Sequence, residues 1–108
     1  MKIVNGNGAH IPAIGFGTWT LDDSEAEEMV SAALEAGYRH IDTASMYENE
    51  TGVGAALSSA GQDRADVFVT TKIWHDQLAS GALEASVATS LEKLKLDHID
   101  LALIHWPT

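Results

Sequence analysis

Apolar runs of strand length alternate along this chain with stretches of helical periodicity, at intervals of roughly thirty residues. The strand candidates are residues 13–17, 38–42, 67–71 and 99–105. Strands that are each separated by a helix pair in parallel through right-handed crossovers. The alternation therefore restricts the fold to two parallel α/β architectures, an open doubly wound sheet or part of a (β/α)8 barrel. Periodicity alone does not choose between them.

Local signals define the other elements. Residues 2–11 predict a β-hairpin, because the Asn-Gly-Asn-Gly turn at 5–8 tolerates positive φ angles. The first helix is predicted to begin at a capping box formed by Ser24 and Glu27 and to end at Gly37. The second and third helices each carry an apolar stripe. The stripes are Val53, Leu57 and Ala60 in the second helix, and Leu83, Val87, Leu91 and Leu94 in the third.

Composition excludes several classes of function. The chain has no cysteine, so disulfides, thiolate catalysis and thiolate metal sites are excluded. Sixteen acidic residues against six basic ones give a net charge of −10, which disfavours nucleic acid and anionic membranes as partners. No segment resembles a signal peptide or the run of about 20 apolar residues that spans a membrane. A cytoplasmic protein is therefore expected.

Four titratable side chains fall at or just beyond the carboxyl ends of the predicted strands. Asp42 ends the second strand, Tyr47 lies in the loop beyond it, Lys72 ends the third strand and His105 ends the fourth. Active sites of parallel α/β folds lie at this end of the strands, so these side chains are expected to converge. Taken singly, each has an ordinary explanation, from a turn for the aspartate to a solvated strand end for the lysine. Their convergence favours a functional site.

This set of groups suits one kind of chemistry. An ammonium close to a tyrosine hydroxyl favours loss of its proton, and a carboxylate holds the ammonium in place. A nearby imidazole can donate a hydrogen bond to a developing oxyanion. The set therefore predicts proton delivery to a carbonyl oxygen. Reduction would also need a hydride donor, which no amino-acid side chain provides.

The same residues lie in segments that resemble the aldo-keto reductase family. Residues 37–44, followed by Tyr47, Asn49 and Glu50, resemble the signature around that family's catalytic Asp and Tyr. Residues 11–19 resemble the family's start, which also includes a hairpin that caps the barrel floor. The other matching segments are 68–74, which contains the catalytic Lys, and 91–94 with 100–107, which contain the catalytic His. The resemblance covers essentially the whole chain in the correct order.

The resemblance implies a TIM-barrel oxidoreductase that reduces aldehydes or ketones with NADPH, less often NADH, and without a metal. By the same resemblance, Tyr47 is the general acid, Lys72 eases release of its proton and Asp42 pairs with Lys72. His105 orients and polarises the substrate carbonyl. The implied cofactor contacts are Gly17, Thr18, Trp19 and Asp42. The implied substrate contacts are Trp19, Tyr47, Trp74, His105 and Trp106.

The family pattern continues over chains more than twice this length, so residues 1–108 are expected to be the N-terminal part of one barrel domain, truncated after strand four. The isolated half-barrel would expose two strand edges. We therefore expect it to be inactive alone and to self-associate, whereas the full-length chain is expected to be a monomer acting on a small carbonyl compound. Two alternatives stay open: a non-catalytic nucleotide-binding module, and a half-barrel that functions only by self-association. The identity of the aldehyde or ketone, and the choice between NADPH and NADH, are left open.

Overall fold

Within residues 2–105, which a computed structural model of the protein describes, the chain forms six β-strands and three α-helices. The strands are β1 (Ile3–Gly6), β2 (Ala9–Pro12), β3 (Phe16–Gly17), β4 (His40–Asp42), β5 (Phe68–Trp74) and β6 (Leu101–His105). The helices are α1 (Asp23–Ala36), α2 (Glu50–Ser59) and α3 (Ala82–Leu94). Beyond the hairpin, strands and helices alternate as the sequence predicts.

The strands form two separate sheets. β1 and β2 pair antiparallel as the predicted hairpin, whose turn holds Asn7 at φ 47° and Gly8 at φ 85°. The other four strands pair in parallel in the order β3-β4-β5-β6. This order follows the chain without reversal, as in a (β/α)8 barrel, whereas a doubly wound sheet reverses at a switch point. The observed order therefore favours the barrel architecture.

The apolar core lies between the three helices and the sheet face that they cover. Ile41 of β4 and Val69 of β5 are fully buried on that face and are paired in register. The helix residues of this core, each at most 1% exposed, are Ala26, Val30, Leu34, Val53, Ala56 and Leu94. Side chains alternate along a strand, so Asp42 and Thr70, each next to a core residue, point to the opposite face of the sheet. Asp42, Thr70 and Lys72 therefore gather on the face without helices, whereas Thr71 faces α2 and donates to Glu50.

α1 begins two residues earlier than predicted. Asp22, not Ser24, is the N-cap: its Oδ1 accepts a hydrogen bond from the Glu25 backbone N–H at 2.8 Å, and the Glu25 carboxylate accepts from the Asp22 N–H at 3.1 Å. The capping-box motif fits both Asp22–Glu25 and Ser24–Glu27, and a carboxylate also interacts favourably with the positive end of the helix dipole. The predicted end at Gly37 is confirmed, with φ 111°.

The two possible caps can be compared directly. Asp22→Ala is expected to destabilise the protein by about 1 kcal/mol, because the first turn loses its side-chain acceptor. Ser24→Ala is the matched control, since Ser24 already lies inside α1, and its expected effect is within about 0.5 kcal/mol. Chemical denaturation of both variants measures the difference. A larger loss for Ser24→Ala would show that the helix starts where the sequence alone predicts.

β5 is longer than predicted. The strand does not end at Lys72 but continues to Trp74, because its residues stay paired with β6 through the Trp74–His105 position. Lys72 is therefore an internal strand residue, and its pairing with Leu103 of β6 fixes its side-chain direction.

Two glycines bring α2 very close to its neighbours. A Cβ atom on Gly52 would lie 2.1 Å from the backbone oxygen of Asp23, and one on Gly54 would lie 2.7 Å from the backbone of Leu94. The Gly52 backbone N–H also donates to Asp23 Oδ1 at 2.8 Å. Only glycine allows such an approach of backbone to backbone. α2 is thus held tightly between α1 and α3, directly after the loop that carries Tyr47.

Candidate active site

Lys72 connects a carboxylate and a phenol on the helix-free face of the sheet. Its Nζ forms an ion pair with Asp42 and donates to the Thr43 backbone oxygen at 3.1 Å and to the Tyr47 hydroxyl at 3.2 Å. An ammonium has three protons, so these three acceptors use its full donor capacity. Only 16% of the Lys72 side chain is exposed, which limits competition from water. The direction of the ammonium is therefore well defined.

Strand register explains why these groups meet. Asp42 pairs with Thr70 across β4 and β5, and Lys72 lies two residues further along β5 on the same face. The next position on that face, Trp74, pairs with His105 of β6. Three adjacent parallel strands thus deliver an aspartate, a lysine and a histidine to one end of the sheet.

Tyr47 comes from a short 3₁₀ turn, Ser45–Tyr47, between β4 and α2. The Ser45 hydroxyl donates to the Lys72 backbone oxygen at 3.0 Å, which fixes the turn to β5. Glu48 then adopts φ 57° and reverses the chain towards α2. Lys72 Nζ also lies 4.9 Å from the centre of the Tyr47 ring, within cation–π range. The sequence feature behind this placement is the short β4–α2 connection.

His105, the last residue of β6, lies beside Tyr47 and Trp74. Its ring centre lies 5.7 Å from that of Tyr47 and 5.3 Å from that of Trp74, and both ring pairs are edge-to-face. Burial lowers the pKa of His105, and the positive charge of Lys72 lowers it further, against an opposing effect of Asp42. The imidazole is therefore neutral at neutral pH and can donate one hydrogen bond and accept another.

The pKa of His105 can be measured by NMR titration of its ring protons. The midpoint is expected below the ordinary value of 6.5, and Lys72→Met should raise it because a neighbouring positive charge is removed. The unfolded chain, with the higher pKa, takes up the proton first as pH falls. This contribution to stability is therefore present above pH 6.5 and is lost as pH falls towards the pKa of the folded state. A midpoint above 6.5 would contradict the assigned environment.

An open cleft of about 530 Å³ lies beside these groups and is lined by Trp19, Met46, Tyr47 and His105. Trp19 is 72% exposed, an unusual degree for an indole and one that leaves its ring available to a ligand. Cavities of similar volume elsewhere on the surface contain none of these residues. Tyr47 and His105 thus line the same cleft.

Three of the residues predicted to contact the cofactor, Gly17, Thr18 and Trp19, differ in how far they are exposed. Gly17, paired with Asp42, leaves open space where a side chain would stand. Thr18, in contrast, is fully buried, and its hydroxyl donates to the Thr43 hydroxyl at 2.9 Å. The Thr18 side chain therefore lies in a hydrogen-bond network behind the cleft, and Trp19 is the residue of this segment that reaches the cleft.

Two other tryptophans, Trp74 and Trp106, are also predicted to contact the substrate. Trp74 is half-buried, with its ring 5.3 Å from that of His105 and 4.6 Å from that of His75. Trp106 lies outside the described residues.

Two buried polar residues around the site were not given a role from the sequence. Asn49, fully buried, hydrogen-bonds to Thr18 and Thr43, and Glu50, 2% exposed, accepts from the Thr71 hydroxyl at 2.7 Å. The signal that could have identified them is an adjacent Asn-Glu pair at the start of an otherwise small and apolar helix. The sequence contains no comparable signal for Met46, which also lines the cleft.

Over residues 2–105, no group of three or more His, Asp or Glu side chains is arranged to hold a metal ion. No helix in the same range is long and apolar enough to cross a membrane.

A parallel sheet in barrel order, with acid–base residues at the carboxyl ends of three strands, defines a (β/α)8-barrel protein with a candidate proton-transfer site. Sequence and structure comparisons agree with that class. The model of the aldo/keto reductase family matches residues 13–108. The chain therefore belongs to the aldo/keto reductase family, and it forms part of that family's TIM barrel.

Three similar proteins illustrate the relationship. Methylglyoxal reductase DkgA of Yersinia pestis is 48% identical over 101 residues, which are 94% of this chain and 36% of that protein. An aldo/keto reductase structure from Brucella melitensis has a TM-score of 0.96 and 49% identity, covering 99% of this chain and 41% of the other. A Bombyx mori aldo-keto reductase in complex with NADP has a TM-score of 0.93 and 40% identity, covering 98% of this chain and 38% of the other.

This chain is much shorter than the proteins to which it is similar. The chain spans between 31% and 38% of the length of the curated relatives that it matches. The similarity therefore concerns the part of the barrel that contains the candidate proton-transfer site.

Proposed function

We propose that residues 1–108 form the proton-delivery part of an aldo-keto reductase barrel domain that reduces a small aldehyde or ketone to an alcohol. The observation that carries the proposal is the position of Lys72 Nζ, which pairs with Asp42 and hydrogen-bonds to the Tyr47 hydroxyl at 3.2 Å beside an open cleft. The names of similar proteins, such as the methylglyoxal reductase of Yersinia pestis, support a small carbonyl substrate.

Tyr47 is the proposed general acid. Its hydroxyl accepts a hydrogen bond from Lys72, so its own proton is free to point into the cleft towards a carbonyl oxygen. As that proton leaves, the ammonium of Lys72 stabilises the developing phenolate. Asp42 forms an ion pair with the ammonium and so holds it in place. General acid catalysis of this kind contributes about 10²- to 10⁴-fold to a rate.

His105 is the proposed group that orients the substrate. Its neutral ring stands edge-on to Tyr47, so a carbonyl oxygen in the cleft could receive hydrogen bonds from both residues. Trp74, paired with His105 in the sheet, limits the ring's rotation. Trp19 and Trp74 are proposed walls of the substrate site, with Trp106 completing it.

A nicotinamide cofactor fits the described part of the site. Gly17, which pairs with Asp42, leaves open space where a side chain would stand, and the exposed indole of Trp19 lines the cleft together with Tyr47. When bound, the reduced cofactor supplies the hydride that no side chain can provide. NADPH is the proposed form, supported by the Bombyx mori relative in complex with NADP, with NADH as the alternative. Gly17, Trp19 and Asp42 would hold its nicotinamide half, and Thr18 would act only by supporting this loop.

The proposed activity belongs to a complete barrel. Residues 2–105 provide four parallel strands, and the outer strands β3 and β6 each have one unpaired edge among the described residues. The cleft is correspondingly open to water, which weakens the electrostatic effects on which proton delivery depends. We therefore expect the 108-residue chain by itself to be inactive.

The test compares two samples with methylglyoxal and with benzaldehyde, following loss of reduced-nicotinamide absorbance with NADPH and with NADH. A polypeptide that joins these residues to a complete barrel is expected to turn over, and the 108-residue chain is not. Binding of the cofactor without turnover by the complete barrel would instead support a non-catalytic nucleotide-binding module. Turnover by the 108-residue chain would contradict the requirement for a complete barrel.

A further inference from the structure

Asn49 is a fully buried amide whose hydrogen bonds link the two loops on either side of the cleft. Its Nδ2 donates to the Thr18 backbone oxygen at 2.7 Å and to the Leu21 backbone oxygen at 3.0 Å. Its Oδ1 accepts from the Thr43 hydroxyl at 2.9 Å. Backbone oxygens can only accept hydrogen bonds, so the amide orientation is determined by its partners. Every strong hydrogen-bonding position of this side chain is occupied.

The two backbone oxygens that Nδ2 binds lie at the two ends of a tight turn. Leu21 N donates to the Thr18 oxygen at 3.2 Å, which closes the turn around Trp19 and Thr20. Thr20 adopts φ 74°, a left-handed conformation that is uncommon for a β-branched residue. Such a conformation persists only where surrounding contacts hold it. Asn49 is the side chain that holds both ends of this turn.

Trp19 is the exposed residue of the turn and forms one wall of the cleft. Its own side chain is 72% exposed, so packing contributes little to its position. The position of the indole therefore depends on the backbone of the turn, and the turn depends on the Asn49 amide. We infer that Asn49 is a positioning residue that fixes Trp19 and so sets the width of the cleft for the carbonyl substrate.

The first test needs no activity. In a chain whose sole tryptophan is Trp19, made with Trp74→Phe and Trp106→Phe, time-resolved fluorescence anisotropy separates local indole motion from tumbling of the whole molecule. Asn49→Asp keeps the acceptor for Thr43 but removes both donors to the turn. The amplitude of the nanosecond phase is expected to rise about twofold, since side chains released from fixed backbone move on this timescale.

Two further variants make the first test decisive. Val30→Ala removes buried atoms from the core, so it lowers stability without touching the turn, and the Trp19 signal should not change. If the buried carboxylate prevents folding, Asn49→Ser replaces it, because serine is uncharged and too short to reach either oxygen. An unchanged fast phase in a folded Asn49 variant, or an equal rise in Val30→Ala, would overturn the inference.

A second test rests on the proposed function and uses the complete barrel. Asn49→Asp is expected to raise KM for the aldehyde about tenfold, the size of effect of a lost wall contact, with kcat within about twofold of the parent. A fall in kcat with unchanged KM would overturn the inference, since it would place the effect at Lys72 through Thr43. If the parent barrel does not turn over, the proposed function fails, and the anisotropy of Trp19 still decides the role of Asn49.

Discussion

Replacing Tyr47 by phenylalanine in a complete barrel that contains these residues is expected to lower kcat by about 10²- to 10⁴-fold. The variant removes one oxygen atom, which accepts the hydrogen bond from Lys72 and is the proposed proton donor. The ring remains, so its edge-to-face contact with His105 and its position beside the cleft should persist. KM should therefore change little. Steady-state kinetics with methylglyoxal and NADPH measure both constants.

Tyr38 provides the matched control, because the chain has just two tyrosines. Its ring packs edge-to-face against Phe16 at 5.9 Å, away from the cleft. Tyr38→Phe removes the same atom from the same type of residue, and it should leave kcat within about twofold, as for substitutions away from functional features. Retention of more than a tenth of the parent kcat by Tyr47→Phe would exclude Tyr47 as the general acid.

Gly52→Ala is expected to destabilise the fold by about 3 kcal/mol, at the upper end of the effects of overpacking. The added methyl group would stand 2.1 Å from the Asp23 backbone oxygen, so α2 must move away from α1. That movement also breaks the hydrogen bond from the Gly52 N–H to the Asp23 carboxylate. Since α2 directly follows the Tyr47 loop, reduced activity should accompany the loss of stability.

The control for this substitution is Gly61→Ala. Gly61 lies beyond α2, and a Cβ atom there would meet nothing within 4 Å, so an effect within about 0.5 kcal/mol is expected. Denaturant unfolding of both variants provides the comparison. Equal stabilities for Gly52→Ala and the parent would show that the two helices are not packed as closely as described.

Much of the fold could be predicted because its determinants are local. The hairpin follows from the Asn and Gly residues at its turn, and the end of α1 follows from Gly37, whose φ of 111° suits glycine alone. The start of α1 is not fixed by the sequence alone, because the overlapping pairs Asp22–Glu25 and Ser24–Glu27 both fit a capping box. The length of β5 is not fixed either, because it depends on pairing with β6, which is a tertiary contact.

Some residues of the candidate site could likewise be predicted from the sequence, and others could not. Asp42 and His105 can be identified as candidate site residues from the sequence because they lie at predicted strand ends. Their proposed roles come from the family resemblance and remain predictions. The burial of Thr18 could not be predicted, because it depends on a hydrogen-bond partner 25 residues away in the chain, at Thr43. The hydrogen bonds of Asn49 could not be predicted for the same reason, since both of its N–H donors reach a loop that precedes it by about thirty residues.

The chain-order arrangement of β4, β5 and β6 places the four residues proposed for proton delivery and substrate orientation (Asp42, Tyr47, Lys72 and His105) between residues 42 and 105. This segment is contiguous, so it can be exchanged between homologous barrels as one block. Chimeras that keep this block and vary the remaining βα units should inherit the same pH dependence of proton transfer. Their nucleotide preference and substrate range should follow the donor of the other units. The order of the strands would therefore make the proposed acid–base residues a transferable module for recombination within this family.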